Sequence, residues 1–239
     1  SVLSVSKSFS KYEKLFFRYF DGFFLYGFLL SFAEEDLFEY FDPKVRDTSK
    51  RDFDWFENIW SRTVVNQDLP YIGKLFSLST NLPAFQKRFP DAKILYMVRD
   101  PLNVIPSGLS LVTGVLDKRF GFWSLNKDKR DQYIERLYNA LVTLLRRFHE
   151  DWTNGNINQS SVFIVRYDKM MSNFDQLMDS ILGFIGQQPS DNLVREIKKT
   201  TEAQRNYKSN HGYNLKQFGL SEEKIKTDCK FVYDTFLTK

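Results

Sequence analysis

The chain has 239 residues, 42% of them hydrophobic, which is enough to bury a substantial core, and we expect one α/β domain over residues 1–239. Its formal net charge of +4 is spread along the sequence rather than gathered into a tail, which argues against a general nucleic-acid binder and allows a small anionic ligand. The single cysteine, Cys229, excludes an internal disulfide, and with only His149 and His211 beside it the sequence disfavours a metal site.

The opening segment KLFFRYFDGFFLYGFLLSF, residues 14–32, is rich in phenylalanine. Arg18 and Asp21 keep its uncharged run well below the roughly 20 residues of a membrane-spanning helix. We predict a buried helix over Tyr12–Leu30, with an interfacial membrane helix or a protein-binding surface as alternatives. No secretory or transit signal is recognisable and the chain starts at Ser1, so we expect that an upstream portion is missing and favour an intracellular location.

The next part of the chain alternates between helical and strand patterns. Apolar residues at helical spacing predict helices, and short apolar runs between turn residues predict strands. The elements expected up to residue 112 are a helix over Phe53–Val65, a strand over Tyr71–Phe76, a helix over Leu82–Phe89, a strand over Lys93–Val98 and a helix over Pro101–Val112.

The alternation continues to the end of the chain. A long amphipathic stripe predicts a helix over Asp131–Trp152, a strand follows over Ser161–Val165, and a helix from Phe174 is expected to stop at Gly186 after a capping pair of Asn173 and Gln176. A last helix opens at Ser221, and its buried stripe should be Ile225, Cys229, Val232 and Phe236. Strands that alternate with helices indicate a central parallel sheet covered on both faces, a three-layer α/β/α architecture.

The segment Lys93–Leu111, KILYMVRDPLNVIPSGLSL, has the clearest chemical signal. An apolar strand ends at Arg99, Asp100 is suited to cap the following helix, and Pro101 is suited to its first position. Helix amides and a guanidinium at one place favour a phosphate. The alternative is an ordinary strand-to-helix corner in which Arg99 pairs with a neighbouring carboxylate.

Three segments in order resemble the sulfotransferase family, closest to its bacterial-type branch: RFPDAKILYMVRDPLNVIPSGLSL at 88–111, VRYDKMMSNFDQLMDSILGFIG at 165–186 and YKSNHGYNLKQFGLSEEKI at 207–225. The resemblance implies a sulfotransferase-like domain with a P-loop-NTPase-like fold. It also implies 3′-phosphoadenosine 5′-phosphosulfate (PAPS) as co-substrate, with no metal, and an acceptor that the sequence does not identify. It implies neither a nucleic-acid partner nor a membrane span.

The resemblance also assigns residues. In the family, the arginine that ends the strand and a serine eight positions later bind the 3′-phosphate, and the matching residues are Arg99 and Ser107. Tyr167 resembles a family tyrosine near the nucleotide, although a buried tyrosine with a satisfied hydroxyl is an alternative. Lys74 matches a family lysine that would offset charge on the leaving nucleotide. His211 lies in a loop like one near the cofactor, although a solvent-facing histidine is an alternative.

Two family features are missing from this sequence. Leu75, Phe76, Ser77 and Leu78 stand where the family has serine, proline and a histidine, so the general base is unidentified. No glycine- and serine-rich loop for the phosphosulfate occurs, and by alignment it would precede Ser1. The alternatives are therefore an active PAPS-dependent enzyme and an inactive structural or interaction subunit, with a small-molecule kinase as a weaker third.

Overall fold

The computed structural model describes residues 23–63, 72–205 and 214–238, and helices dominate these ranges. The helices, in chain order, are α1 (Phe23–Phe28), α2 (Ser49–Thr63), α3 (Leu82–Arg88), α4 (Pro101–Phe120), α5 (Lys127–Thr153), α6 (Tyr167–Ser172), α7 (Phe174–Ile185), α8 (Asp191–Arg205), α9 (Glu222–Asp228) and α10 (Lys230–Val232). Short 3₁₀ helices lie at Leu30–Phe32, Phe38–Tyr40, Phe76–Thr80, Phe122–Ser124, Gln159–Ser161 and Leu215–Phe218, and a π-helical turn follows at Tyr233–Leu237.

The sheet of the described residues has two parallel strands, β1 (Ile94–Val98) and β2 (Val162–Arg166). Val98 lies opposite Arg166, so both carboxyl ends meet at one edge of the sheet. The connection between the strands contains α4 and α5, as parallel pairing requires a long crossover. Two of the three predicted strands, Lys93–Val98 and Ser161–Val165, are confirmed, and the chain is an α/β protein with a small parallel sheet. The three-layer arrangement stays a prediction.

The core is built around α5, whose inward stripe follows the predicted spacing. Tyr133, Leu137 and Phe148 are almost completely buried there. The helix packs against α4, the 3₁₀ helix Phe76–Thr80 and α10. The predicted stripe of the last helix is also confirmed, because its members are all buried: Ile225, Cys229, Val232 and Phe236.

The described part of the aromatic opening segment agrees with a buried helix. In α1, Leu25 and Tyr26 are buried, and the Tyr133 hydroxyl donates a hydrogen bond to the Gly27 carbonyl. The earlier part of the predicted helix, 12–22, lies outside the described residues. Within the described ranges, none of the helices is both long and apolar enough to cross a membrane.

Four local predictions need correction. Residues 72–75 are not a strand, because Ile72 and Lys74 are exposed and no strand lies beside them among the described residues; Tyr71 lies outside that part. Asn173 makes no side-chain capping bond, although Gly186 ends α7 in the left-handed conformation as predicted. α4 is longer than predicted, because it continues to Phe120. α8 was not predicted, and it is a polar helix that buries only Ile197 and Thr201.

Candidate functional site

The candidate site lies where the two parallel strands end, because each strand leads directly into a residue of interest. Arg99 follows β1 and Tyr167 follows β2. The Arg99 guanidinium carbon lies 4.2 Å from the centre of the Tyr167 ring, a cation–π contact. The structure thus brings together two of the four residues that the family resemblance assigned.

Arg99 differs from the other arginine at this edge, Arg166. Arg166 makes a two-pronged contact with Asp168, in which Nε donates to one carboxylate oxygen at 3.0 Å and Nη2 to the other at 2.7 Å. This pairing lowers the pKa of Asp168, first through the hydrogen bond from Arg166. Arg99 is half-buried and has neither a hydrogen bond nor an ion pair to any residue in the described ranges. The alternative of a carboxylate-paired corner is therefore not observed for Arg99 in this part of the chain.

The start of α4 is capped as predicted, but the cap removes the amides expected to bind an anion. The Asp100 carboxylate accepts from the Leu102 amide at 2.9 Å, and the Asp100 carbonyl accepts from Asn103 at 2.8 Å and Val104 at 3.1 Å. Pro101 has no amide hydrogen. The amides of Leu102, Asn103 and Val104 therefore already have acceptors in the structure. A phosphate site built on these amides stays a prediction, and side chains are the groups that remain available to an anion.

A tyrosine from the C-terminal region holds this cap in place. The Tyr233 hydroxyl donates to the Asp100 carboxylate at 2.6 Å. Burial, with a further contribution from Asp100, raises the pKa of Tyr233, so the hydroxyl stays protonated and able to donate. No local sequence pattern predicts this contact, because 133 residues separate its two partners.

Ser107 lies on α4, six residues after Pro101, which places it about 9 Å along the helix axis from the first residue. It is half-buried, and its hydroxyl has no hydrogen-bond partner among the described residues. Nothing in the described contacts joins Ser107 to Arg99. That the two side chains bind one phosphate therefore stays a prediction.

Lys74 lies in exposed coil before the 3₁₀ helix Phe76–Thr80 rather than in a strand. Within the described ranges it has no hydrogen bond, ion pair or ring contact with Arg99, Ser107 or Tyr167. His211 lies outside those ranges. The same ranges contain no group of three or more His, Cys, Asp or Glu side chains that could hold a metal ion.

Comparison with known proteins adds one finding. A family model described as "Sulfotransferase family" matches residues 30–191, more than half of the chain. This range contains both strands and the four assigned residues, Lys74, Arg99, Ser107 and Tyr167. Neither the curated proteins nor the solved structures contain a match to the chain.

Proposed function

Because the chain belongs to the sulfotransferase family, we propose that it transfers a sulfuryl group from PAPS to a hydroxyl or amine acceptor. The observation that carries the proposal is Arg99, a half-buried guanidinium without a carboxylate partner in the described ranges, held against an aromatic ring at the carboxyl edge of a parallel sheet. Ligands of open α/β sheets bind at this edge. The proposal includes the three-layer P-loop-like fold and the bacterial-type branch.

The proposed binding mode follows from the hydrogen bonds that the first-turn amides of α4 already make. Since Asp100 occupies the first-turn donors, the 3′-phosphate of the nucleotide has to be bound by the Arg99 guanidinium, with the Ser107 hydroxyl as a second donor. Tyr167 keeps the guanidinium oriented and offers a flat apolar surface beside the phosphate. Arg166 does not contribute, because Asp168 already neutralises it.

The chemistry at the other end of the nucleotide rests on fewer residues. PAPS supplies the sulfuryl group, and we assign Lys74 to offset the charge that grows on the leaving nucleotide. Its exposed ammonium is free of carboxylate partners within the described ranges, which suits that role. No side chain is assigned as general base, since residues 75–78 lack a histidine.

Calorimetric titration with two nucleotides tests the 3′-phosphate assignment. We expect Arg99→Ala to weaken binding of adenosine 3′,5′-diphosphate by about 2 kcal/mol, or roughly 30-fold, the scale of one charge-assisted contact. Adenosine 5′-monophosphate lacks the 3′-phosphate, so its weaker binding should be the same in both proteins. The matched control is Arg88→Ala, an exposed arginine that pairs with Asp54 and Glu57 away from the strand ends.

Equal affinity of wild type and Arg99→Ala for adenosine 3′,5′-diphosphate contradicts the assignment. A loss that is equally large for the monophosphate places the arginine elsewhere on the nucleotide. Transfer itself is tested with PAPS carrying labelled sulfate and a panel of hydroxyl and amine acceptors. Nucleotide binding without any transfer overturns the enzymatic proposal and favours the inactive subunit.

A further inference from the structure

A concave surface lies far from Arg99, between the first turns of α5 and the segment that joins Leu215–Phe218 to α9. We call it the α5 groove and define it by its floor, Trp123, Ile134, Tyr138 and Phe218, and by two cations on its rim, Arg130 and Lys216. Its volume of about 610 Å³ falls in the range of small-molecule sites.

The floor of the α5 groove is apolar and aromatic. Ile134, Tyr138 and Phe218 are buried, and the half-buried Trp123 ring lies 6.0 Å from the Phe218 ring, centre to centre. The Tyr138 hydroxyl donates to Asp228 at 2.7 Å, so its polar end is satisfied. A flat hydrophobic body can therefore lie on this floor without burying an unpaired polar group.

The rim of the groove carries more positive than negative charge. Four cations line it, and two of them are already paired: Lys127 with Asp131 and Lys224 with Asp228. The other two, Arg130 and Lys216, have no carboxylate partner within the described ranges.

Arg130 is also fixed in place. Its Nη1 donates to the Trp123 carbonyl at 2.7 Å, which holds the guanidinium beside the aromatic floor while other N–H groups stay available. The remaining acid of the lining, Glu135, is exposed and would repel a second negative charge on a ligand. The rim thus suits one negative charge.

The α5 groove is separate from the proposed nucleotide site. Trp123 follows the C-terminal end of α4, whereas Arg99 precedes its start, and a helix of 20 residues is about 30 Å long. A ligand on Trp123 and Arg130 is therefore too far from Arg99 to share its reaction centre.

We propose that the α5 groove binds a small amphipathic anion, an aromatic ring system with a single carboxylate, sulfate or sulfonate. The rings pack on Trp123, Ile134 and Phe218, and the charge lies between Arg130 and Lys216. This inference stands independently of sulfuryl transfer.

Isothermal titration calorimetry with naphthalene-2-sulfonate tests the proposal. We expect saturable binding of one molecule per chain, and at least tenfold weaker binding of the uncharged 2-naphthalenemethanol. Lys216→Gln should weaken binding of the sulfonate five- to tenfold; this exposed side chain has no contact in the described ranges whose loss would affect folding. Arg130→Gln should have at least the same effect.

Two matched variants serve as controls. Lys129→Gln removes a neighbouring charge of α5 that does not line the groove, and Leu111→Ser removes an exposed leucine of α4. Both should bind naphthalene-2-sulfonate as the wild type does. Arg99→Ala should leave this binding unchanged, and Lys216→Gln should leave binding of adenosine 3′,5′-diphosphate unchanged, so each proposal can fail without the other.

The proposal is overturned if the sulfonate does not saturate, if Lys216→Gln and Arg130→Gln bind it as the wild type does, or if Leu111→Ser removes the binding. The last result would show adhesion to the exposed face of α4 rather than occupation of the groove.

Discussion

Asp100 has two roles at the start of α4, because it caps the helix and it accepts a hydrogen bond from a tyrosine that is distant in sequence. Its carboxylate accepts from the Leu102 amide and from the Tyr233 hydroxyl, so both interactions depend on one side chain. A hydrogen bond from a hydroxyl stabilises a carboxylate without cancelling its charge. The Tyr233 contact therefore holds the Asp100 cap in place.

Tyr233→Phe measures this role. The variant removes a hydrogen bond to a charged acceptor in a half-buried setting, so we expect the free energy of unfolding to fall by about 1.5–3 kcal/mol. Urea unfolding followed by circular dichroism gives this value. Tyr40→Phe is the control, since the Tyr40 side chain is 46% exposed and its hydroxyl has no hydrogen-bond partner among the described residues. Equal stability of both variants would mean that the Tyr233 contact does not support the cap.

At the scale of the elements, α4 and α5 pack closely at Gly108. A Cβ atom built at Gly108 would lie 2.9 Å from Leu141 Cδ1, closer than carbon atoms pack. Gly114, two turns later on the same helix, has nothing within 4 Å of the corresponding position. The helix contact therefore requires glycine at one of these positions and not at the other.

The pair Gly108→Ala and Gly114→Ala tests this difference with the same chemical change. Alanine is favoured over glycine in a helix interior by about 1 kcal/mol, so Gly114→Ala should stabilise the protein by about 0.5–1 kcal/mol. Gly108→Ala gains the same propensity but overpacks the contact with buried Leu141, and we expect a net loss of about 1 kcal/mol. The midpoint of thermal unfolding of both variants, compared with the wild type, tests this expectation. Stabilisation by both substitutions would show that the Leu141 side chain moves aside without cost.

Local sequence signals predicted an element well where the residues that determine its bounds and its buried face lie in one short stretch. The apolar run before Arg99 and the Asp100–Pro101 pair determine where β1 ends and α4 begins, and the stripe of α5 follows from helical spacing. The polar α8 escaped prediction because only Ile197 and Thr201 of it reach the core. Lys74 was wrongly predicted to lie in a strand. A strand needs a second strand to pair with, and the sequence pattern does not show whether that partner exists.

The candidate site was predicted less completely for a related reason. Arg99 and Tyr167 follow the ends of paired strands, so their proximity follows once the pairing is known. Among the described residues, Arg166 is paired and Arg99 is not, because Asp168 lies only two residues from Arg166. This short spacing is a local sequence signal for the pairing. The contact of Tyr233 with Asp100 depends on packing between distant segments, which no local pattern encodes.

At the scale of the whole molecule, the hydroxyls of buried and half-buried tyrosines join segments that are far apart in sequence. Tyr133 donates to the Gly27 carbonyl, Tyr138 to Asp228 and Tyr233 to Asp100. Burial is the largest cause that raises the pKa of each of these hydroxyls. Burial also raises the pKa of the Cys229 thiol to about 11, beside the same C-terminal helices.

These groups predict a steep loss of stability in alkali. A pKa that is raised in the folded state means that the unfolded chain loses its protons first. The stabilisation is therefore complete below the unfolded pKa, about 8.5 for the thiol and about 10 for the tyrosines, and it falls as the pH rises above that value. Each such tyrosine adds at most about 1.4 kcal/mol per pH unit to this loss, and the half-buried Tyr233 adds less because solvent screens its charge. Tyrosinate absorbance and near-ultraviolet circular dichroism should change together in one transition. Gradual titration with an unchanged dichroism spectrum would contradict this.

The long sequence separation between Asp100 and Tyr233 also sets an order of events during synthesis. Their 133-residue spacing corresponds to about 7–27 s of translation at roughly 5–20 residues per second. Once Arg166 has been made, about half of that interval remains, and in it the nascent chain can pair its two strands although Tyr233 has not yet been made. The two strands can therefore pair before the cap is complete, and the start of α4 should reach its full stability only once the Tyr233 segment has docked.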